Sequence, residues 1–205
     1  MRSPWRSLCC QRAASRSAIR SKVFRRIGQG VQNVIVVVMG VAGVGKTTIG
    51  ELLAQALGCA FLEGDSLHPP ANIEKMARGI PLTDADRAPW LAAIREYIEK
   101  TFRQGQNLVV ACSALKQKYR DCLSANAAVI WVYLKGTEEV IRSRLEHRQE
   151  HFMKANMLAS QVADLEESSS AIVVDASSPP DLIVQQILAG LQRRTAELHT
   201  ALLPP

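Results

Sequence analysis

Apolar residues in this chain fall into short unbroken runs separated by longer stretches of helical period. The runs are Val34 to Met39, Cys59 to Leu62, Leu108 to Cys112, Ala128 to Leu134 and Ala171 to Val174. They do not alternate with polar residues and are rich in β-branched side chains, so they predict strands buried on both faces. Between them, apolar residues recur every three or four positions: Ile49, Leu52, Leu53, Ala56 and Leu57, then Trp90, Leu91, Ile94, Ile98 and Phe102, then Val140, Ile141 and Leu145. Shorter helices are expected over Ala71 to Ala77, Lys118 to Leu123 and around Met157 to Leu165, with a last one over Pro179 to Leu191. Strand alternating with helix gives an α/β fold: a five-stranded parallel sheet with helices on both faces, in three layers. The punctuation agrees. Gly58 and Gly105 stand where helices should end, and Thr83 with Asp86 three residues on should open one. Pro69-Pro70 fixes a turn.

The first strand breaks at Gly40-Val41-Ala42-Gly43-Val44-Gly45-Lys46-Thr47, which fits G-x-x-x-x-G-K-[ST]. The glycines let backbone N–H groups curl inward around phosphate oxygens, at the positive end of the following helix. Lys46 adds a point charge for the β- and γ-phosphates, and the Thr47 hydroxyl is placed to ligate Mg²⁺. Thr48 continues the loop into the helix, so the whole run Gly40 to Thr48 is the expected ATP-binding segment.

Charge changes the picture little. The net charge is +6, but eight of the 25 Arg and Lys residues lie in residues 1–30, which contain no acid. The remainder carries 17 basic against 19 acidic residues, so a nucleic-acid footprint on the globular part is not indicated. Residues 1–30 are Arg- and Ser-rich; a mitochondrial or plastid transit peptide, a disordered basic tail and an upstream start codon are all compatible with them. The expected compartment is the cytoplasm, or the mitochondrion if the segment is a transit peptide. No apolar run reaches the ~18 residues needed to span a bilayer. Five cysteines without metal-ligand spacing suit free thiols, and Cys112 reads as a small apolar filler at a strand end.

Two longer motifs are more specific than the phosphate loop. One is Gly64-Asp65-Ser66-Leu67-His68-Pro69-Pro70-Ala71-Asn72-Ile73-Glu74-Lys75-Met76; the other runs from Gly79-Ile80-Pro81-Leu82 through Asp86-Arg87 to Pro89-Trp90-Leu91. Together they closely resemble gluconokinases of the small P-loop type, which read GD-x-LHP-x-x-NIEKM and G-x-PL-x-D-x-DR-x-PWL. The likeness continues at Cys112-Ser113-Ala114-Leu115-Lys116, Tyr119-Arg120-Asp121, Tyr133-Leu134-Lys135-Gly136, Arg144-Leu145, Arg148, His151-Phe152 and Ser160-Gln161, spanning about residues 33–190. The resemblance implies a P-loop kinase fold like those of shikimate and nucleoside monophosphate kinases. It implies ATP- and Mg²⁺-dependent phosphorylation of D-gluconate on its 6-hydroxyl, and a homodimer. It places the kinase domain at 31–195, with an acceptor-binding insertion at 66–104, a lid at 142–157 and a tail at 196–205. The chain departs from the pattern at Ala42 and Val44, where the family has serines, at Glu150, where it has glycine, and at the short Ser168-Ser169-Ser170.

Gluconate is a small anion with several hydroxyls, so its site needs cations for the carboxylate, hydrogen-bonding groups for the hydroxyls and a group to orient the attacking one. Asp65, just past the second strand, is expected in that last role. His68, Lys75, Arg87, Ser113 and Lys116 join Asp65 as expected substrate contacts, Arg87 being the better carboxylate clamp because its fork is bidentate. Arg144 and Arg148, four apart on one helix face, are expected with Lys46 and Asp65 as catalytic groups supplying charge to the transferring phosphoryl. Trp90, Asn72, Glu74 and Met76 are expected to shape the insertion.

Two rivals are weaker. A shikimate kinase should carry D-x-D at the second strand and glycines after the third, where Ser113-Ala114 stands. A nucleotide switch or ATPase could use Asp175 at the end of the fifth strand, but the N-K-x-D base-reading motif of a switch GTPase is missing.

Overall fold

The computed structural model describes residues 34–146 and 155–201. Residues 1–30, Arg148, Glu150, His151 and Lys154 lie outside the described residues, as does much of the expected lid. Five parallel strands form one sheet in the order β2-β3-β1-β4-β5: β1 Ile35–Met39, β2 Ala60–Glu63, β3 Leu108–Ala111, β4 Val129–Lys135 and β5 Ile172–Asp175. The helices are α1 Lys46–Leu57, α2 Pro70–Ala77, α3 Asp84–Arg103, α4 Gln117–Leu123, α5 Glu138–Glu146, α6 Ala155–Asp164 and α7 Pro180–Ala201, with one 3-10 turn at Gly64–Leu67. The last helix runs ten residues past the expected Leu191.

Alternate side chains of β1 serve two cores. Val36 and Val38 pack with Ile49, Leu53 and Leu57 of α1 and Ile183, Ile187 and Leu191 of α7. Ile35, Val37 and Met39 face Trp90, Leu91, Ile94 and Ile98 of α3 and Tyr119 and Leu123 of α4. A central strand covered on both faces must be apolar at every position, which is why the run of five shows no alternation.

Local chemistry sets the joints. Gly40 has φ +144°, and a Cβ there would stand 2.9 Å from the Leu134 carbonyl oxygen, so β1 can leave the sheet only on a glycine. Gly58 ends α1 in the left-handed conformation, its N–H reaching the Ala54 and Gln55 carbonyls. Thr83 and Asp86 form a reciprocal capping box at the start of α3. Every strand ends at the same edge of the sheet, and the phosphate loop, the 3-10 turn and the β3–α4 turn gather there.

Candidate active site

The β1–α1 loop is wrapped around its own lysine. Lys46 Nζ donates to the Val41 carbonyl at 3.1 Å, and the loop's bend is carried by Gly43 and Gly45 at φ +79° and +105°. Thr47 Oγ1 donates to Glu63 Oε2 at 2.6 Å. Glu63 ends β2, and β2 lies one strand beyond β3 from β1, so this carboxylate reaches across the mouth of the sheet. Its pairing with Thr47 makes Glu63, which no sequence motif singled out, a candidate functional residue. Glu63-x-Asp65 is an acidic pair with one residue between, close to the D-x-D of the shikimate-type rival.

A cleft opens beside the loop, lined by Ala42, Lys46, Asp65, His68, Arg87 and Ser113, with Gln161 of α6 across from them. The structure thus brings together five of the residues expected at the acceptor and phosphoryl: Lys46, Asp65, His68, Arg87 and Ser113. Trp90 forms part of the wall and serves as a floor for His68. Its indole is 2% exposed and donates to the Gly64 carbonyl at 2.8 Å, and the His68 ring stacks on it at 4.3 Å. Asn72 fixes the tautomer. Its Nδ2 donates to the Asp86 carbonyl at 2.7 Å and lies 3.4 Å from His68 Nδ1, so Nδ1 is an acceptor and the ring proton sits on Nε2. Burial pushes the His68 pKa down from 6.5, and Arg87 pushes the same way against the opposing charge of Asp65, so the ring is neutral at pH 7.

Arg87 and Lys116 sit in a square of charges. Lys116 Nζ is 3.3 Å from Asp84 and 3.2 Å from Asp164; Arg87 Nη1 is 3.9 Å from Asp84 and 3.7 Å from Asp164. The Tyr119 hydroxyl receives Arg87 Nη1 at 3.1 Å and itself donates to Asp84. Lys118, the Tyr119 hydroxyl and Lys116 together hold Asp84 well below the usual carboxylate range. Arg87 faces the cleft, whereas Lys116 stands behind it as a member of the square. The cleft measures about 70 Å³. Ligand pockets typically offer ~300–1,000 Å³, so side chains must move apart to admit a six-carbon acid.

Lys75 and Arg144, like Lys116, do not line this cleft. Lys75 is turned to Asp86, 2.6 Å from Oδ1, and that contact, with the Thr83 cap, holds the Asp86 pKa down to about 2. Its ammonium thus braces α2 against the start of α3 and does not line the cleft. Arg144 lies on the other side of the phosphate loop, its guanidinium donating to the Val44 and Ala176 carbonyls at 2.7 Å each. There it borders a second cavity of about 340 Å³ with Gly43, Gly45, Thr48, Ile49, Pro180 and Ile183. Asp175, the rival's metal-site carboxylate, caps its own turn through the Ser177 N–H at 2.8 Å and hydroxyl at 2.6 Å.

The β3–α4 turn is held by an unusual buried cation. Arg120 is 2% exposed; its Nη1 donates to the carbonyls of Ala114 at 3.0 Å and Leu115 at 2.9 Å, while Nε and Nη2 both reach Gln117 Oε1. Ala114 has φ +41°, a left-handed conformation at the position where the shikimate-type pattern has glycine. Cys112 is fully buried and burial pushes its thiol up to about 12, as suits a filler.

Two empty spaces flank one phosphate loop, with an acidic group opposite the loop lysine and a cation on the acceptor wall. This architecture defines a P-loop kinase for a small molecule. The family model described as shikimate kinase matches residues 42–192. A gluconokinase of Gluconobacter oxydans is 42% identical over 80% of this chain and 94% of its own length, and the thermoresistant gluconokinase of Escherichia coli is 42% identical over 78% and 94%. The crystal structure of a gluconokinase from Sinorhizobium meliloti superposes with a TM-score of 0.76, at 44% identity, covering 83% of this chain and 98% of that one. The chain belongs to the shikimate kinase family and, within it, to the gluconokinases.

Proposed function

We propose that this chain transfers the γ-phosphoryl of ATP to the 6-hydroxyl of D-gluconate, giving 6-phospho-D-gluconate and ADP. The observation that carries this reading is that Asp65, Lys46 and Arg87 share one cleft at the edge of the phosphate loop. Asp65 accepts the hydrogen bond of the attacking hydroxyl and takes its proton as the phosphoryl is transferred. Lys46 and the loop N–H groups receive the charge that gathers on the phosphoryl oxygens. Arg87 takes the acceptor's carboxylate, and the His68 Nε2–H donates a hydrogen bond to one of its hydroxyls. Arg144 serves the nucleoside end. Arg148 keeps the expected role of a second cation at the phosphoryl, on the resemblance alone.

Thr47 and Glu63 offer hydroxyl and carboxylate oxygens, the hard donors that suit Mg²⁺. Among the described residues no group of three or more His, Cys, Asp or Glu side chains could hold a metal. Two protein donors fit an ion that keeps waters and phosphate oxygens as its other ligands. Bound there, Mg²⁺ would neutralise charge on the β- and γ-phosphates.

Among the described residues no helix is long and apolar enough to cross a membrane. A homodimer and a cytoplasmic location, or a mitochondrial one for a processed residue 1–30 segment, complete the reading and rest on the resemblance and on composition. The test is ADP release at fixed ATP and Mg²⁺ with D-gluconate, its epimers, shikimate or no acceptor. Release with D-gluconate alone supports the reading; release with shikimate would move the chain to the shikimate-type reaction, and release without acceptor would make it an ATPase.

A further inference from the structure

The acceptor cleft and the phosphate loop are joined by one side chain from a distant helix. Gln161 Oε1 accepts the Ala42 N–H at 2.7 Å, across 119 residues of sequence, while the same side chain lines the cleft with Asp65, His68 and Arg87. An N–H can only donate, so this bond also fixes the amide's orientation: the oxygen faces the loop. The helix that carries Gln161 is anchored independently. Three residues on, Asp164 meets Arg87 and Lys116, and just beyond, the Glu166 N–H donates to the Leu115 carbonyl at 2.9 Å while its carboxylate accepts the Gln117 N–H at 2.6 Å. Leu158 is buried in the core on the phosphate-loop side. Gln161 therefore stands on a fixed support with its oxygen on the loop and its body in the cleft.

The cleft is too small for the acceptor as it stands, so the acceptor's entry displaces lining side chains. Among the described lining residues, Gln161 is the side chain from outside the loop whose displacement changes the loop's hydrogen bonding; Lys46, which donates to the Val41 carbonyl, follows directly on the loop itself. We propose that Gln161 is the positioning residue that couples the two half-sites. An acceptor in the cleft shifts this amide and so alters the availability of the Ala42 N–H, and a bound triphosphate shifts it in return. Such coupling is reciprocal by thermodynamic necessity. It would favour the phosphate-competent loop when an acceptor is present and so restrain transfer to water. This inference rests on the proposed reaction.

The test is calorimetric, on the full chain. Affinity for a non-hydrolysable ATP analogue with Mg²⁺ is measured with and without D-gluconate, for the wild type, Gln161→Leu and Gln161→Glu. In parallel, ADP released per 6-phosphogluconate formed is counted. The wild type is expected to bind the analogue about 5- to 50-fold tighter with gluconate, within the range of ordinary coupling energies. Gln161→Leu keeps the volume but loses the oxygen; its coupling should fall below about twofold, with more than one ADP per product. Gln161→Glu still offers an oxygen to the Ala42 N–H and should keep the coupling, with weaker analogue binding from its added charge. Gln161→Met replaces the leucine variant if that one folds poorly. A wild type without coupling, or a leucine or methionine variant with wild-type coupling and one ADP per product, overturns the inference. A wild type that leaves gluconate unphosphorylated overturns the underlying reaction instead, which the product count reveals directly.

Discussion

Thr47 of the phosphate loop and Glu63 at the end of β2 are joined by a 2.6 Å hydrogen bond, although a whole strand separates their parent strands in the sheet. The hydroxyl we propose as a Mg²⁺ ligand is thereby oriented by a carboxylate. Glu63→Gln should leave the fold intact and raise the Mg²⁺ concentration needed for half-maximal activity by about 10- to 100-fold, the usual effect of removing a group that orients or supplements a metal ligand. A Mg²⁺ titration at fixed ATP checks this, and an unchanged midpoint would remove Glu63 from the site.

Asp65 lines the cleft and its backbone N–H meets Glu63; among the described residues no ion pair engages its carboxylate. Asp65→Asn keeps the shape and removes the base. Turnover should drop by about 10²- to 10⁴-fold, with analogue affinity unchanged. A loss confined to KM would instead make Asp65 a binding group.

Arg87→Ala deletes the cation on the acceptor wall and leaves Asp164 with Lys116 alone. A charged hydrogen bond is worth ~1.5–3 kcal/mol, so gluconate KM should rise by roughly 10- to 100-fold, with a smaller effect on ATP. Arg87→Lys should recover only part, since a point charge cannot grip a carboxylate with two parallel bonds. Steady-state kinetics with each substrate varied in turn decides it.

His68 gives a pH dependence whose sign is fixed. Its folded-state pKa lies below the ordinary 6.5, so the unfolded chain takes up the proton first as pH falls. The contribution of the neutral, stacked ring is complete above pH 6.5 and is lost as pH drops through the folded-state value. Melting temperature should fall on acidification below pH 6.5, and His68→Gln should flatten that slope.

Ala114 holds a left-handed φ that an L side chain adopts at a cost of roughly 1–2 kcal/mol, and glycine would relieve it. Part of the gain returns as unfolded-state entropy, so Ala114→Gly should stabilise by up to about 1 kcal/mol in urea. Arg120→Met should do the opposite: with the guanidinium gone, the Ala114 and Leu115 carbonyls lose their donors inside the protein.

The strand runs and the glycine caps were legible because each is a local rule written in neighbouring residues. β1 could be read from six consecutive apolar positions, Val34 to Met39, and the start of α3 from Thr83 and Asp86. The phosphate loop was legible for the same reason. The partners of Lys75 and Arg144 were not legible because charge on a helix says nothing about which acid or carbonyl the folded chain brings to it: Asp86 is eleven residues from Lys75, and Ala176 is 32 from Arg144. Glu63 and Gln161 were passed over because their partners, Thr47 and Ala42, come from other elements. Ser160-Gln161 had been matched as part of a family pattern, yet nothing local gave the glutamine a task.

The residues lining the two cavities beside the phosphate loop do not overlap. The larger cavity, which we propose takes the nucleoside, is built from the loop, α1, α5 and α7, and the cleft proposed for the acceptor mainly from the turns and helices that follow β2 and β3. An ancestral gene could therefore accumulate substitutions in one half and explore new acceptors while the energy donor stayed the same. Gln161 would be less free to drift than its neighbours in the cleft, because it also holds the Ala42 N–H of the loop that both cavities border.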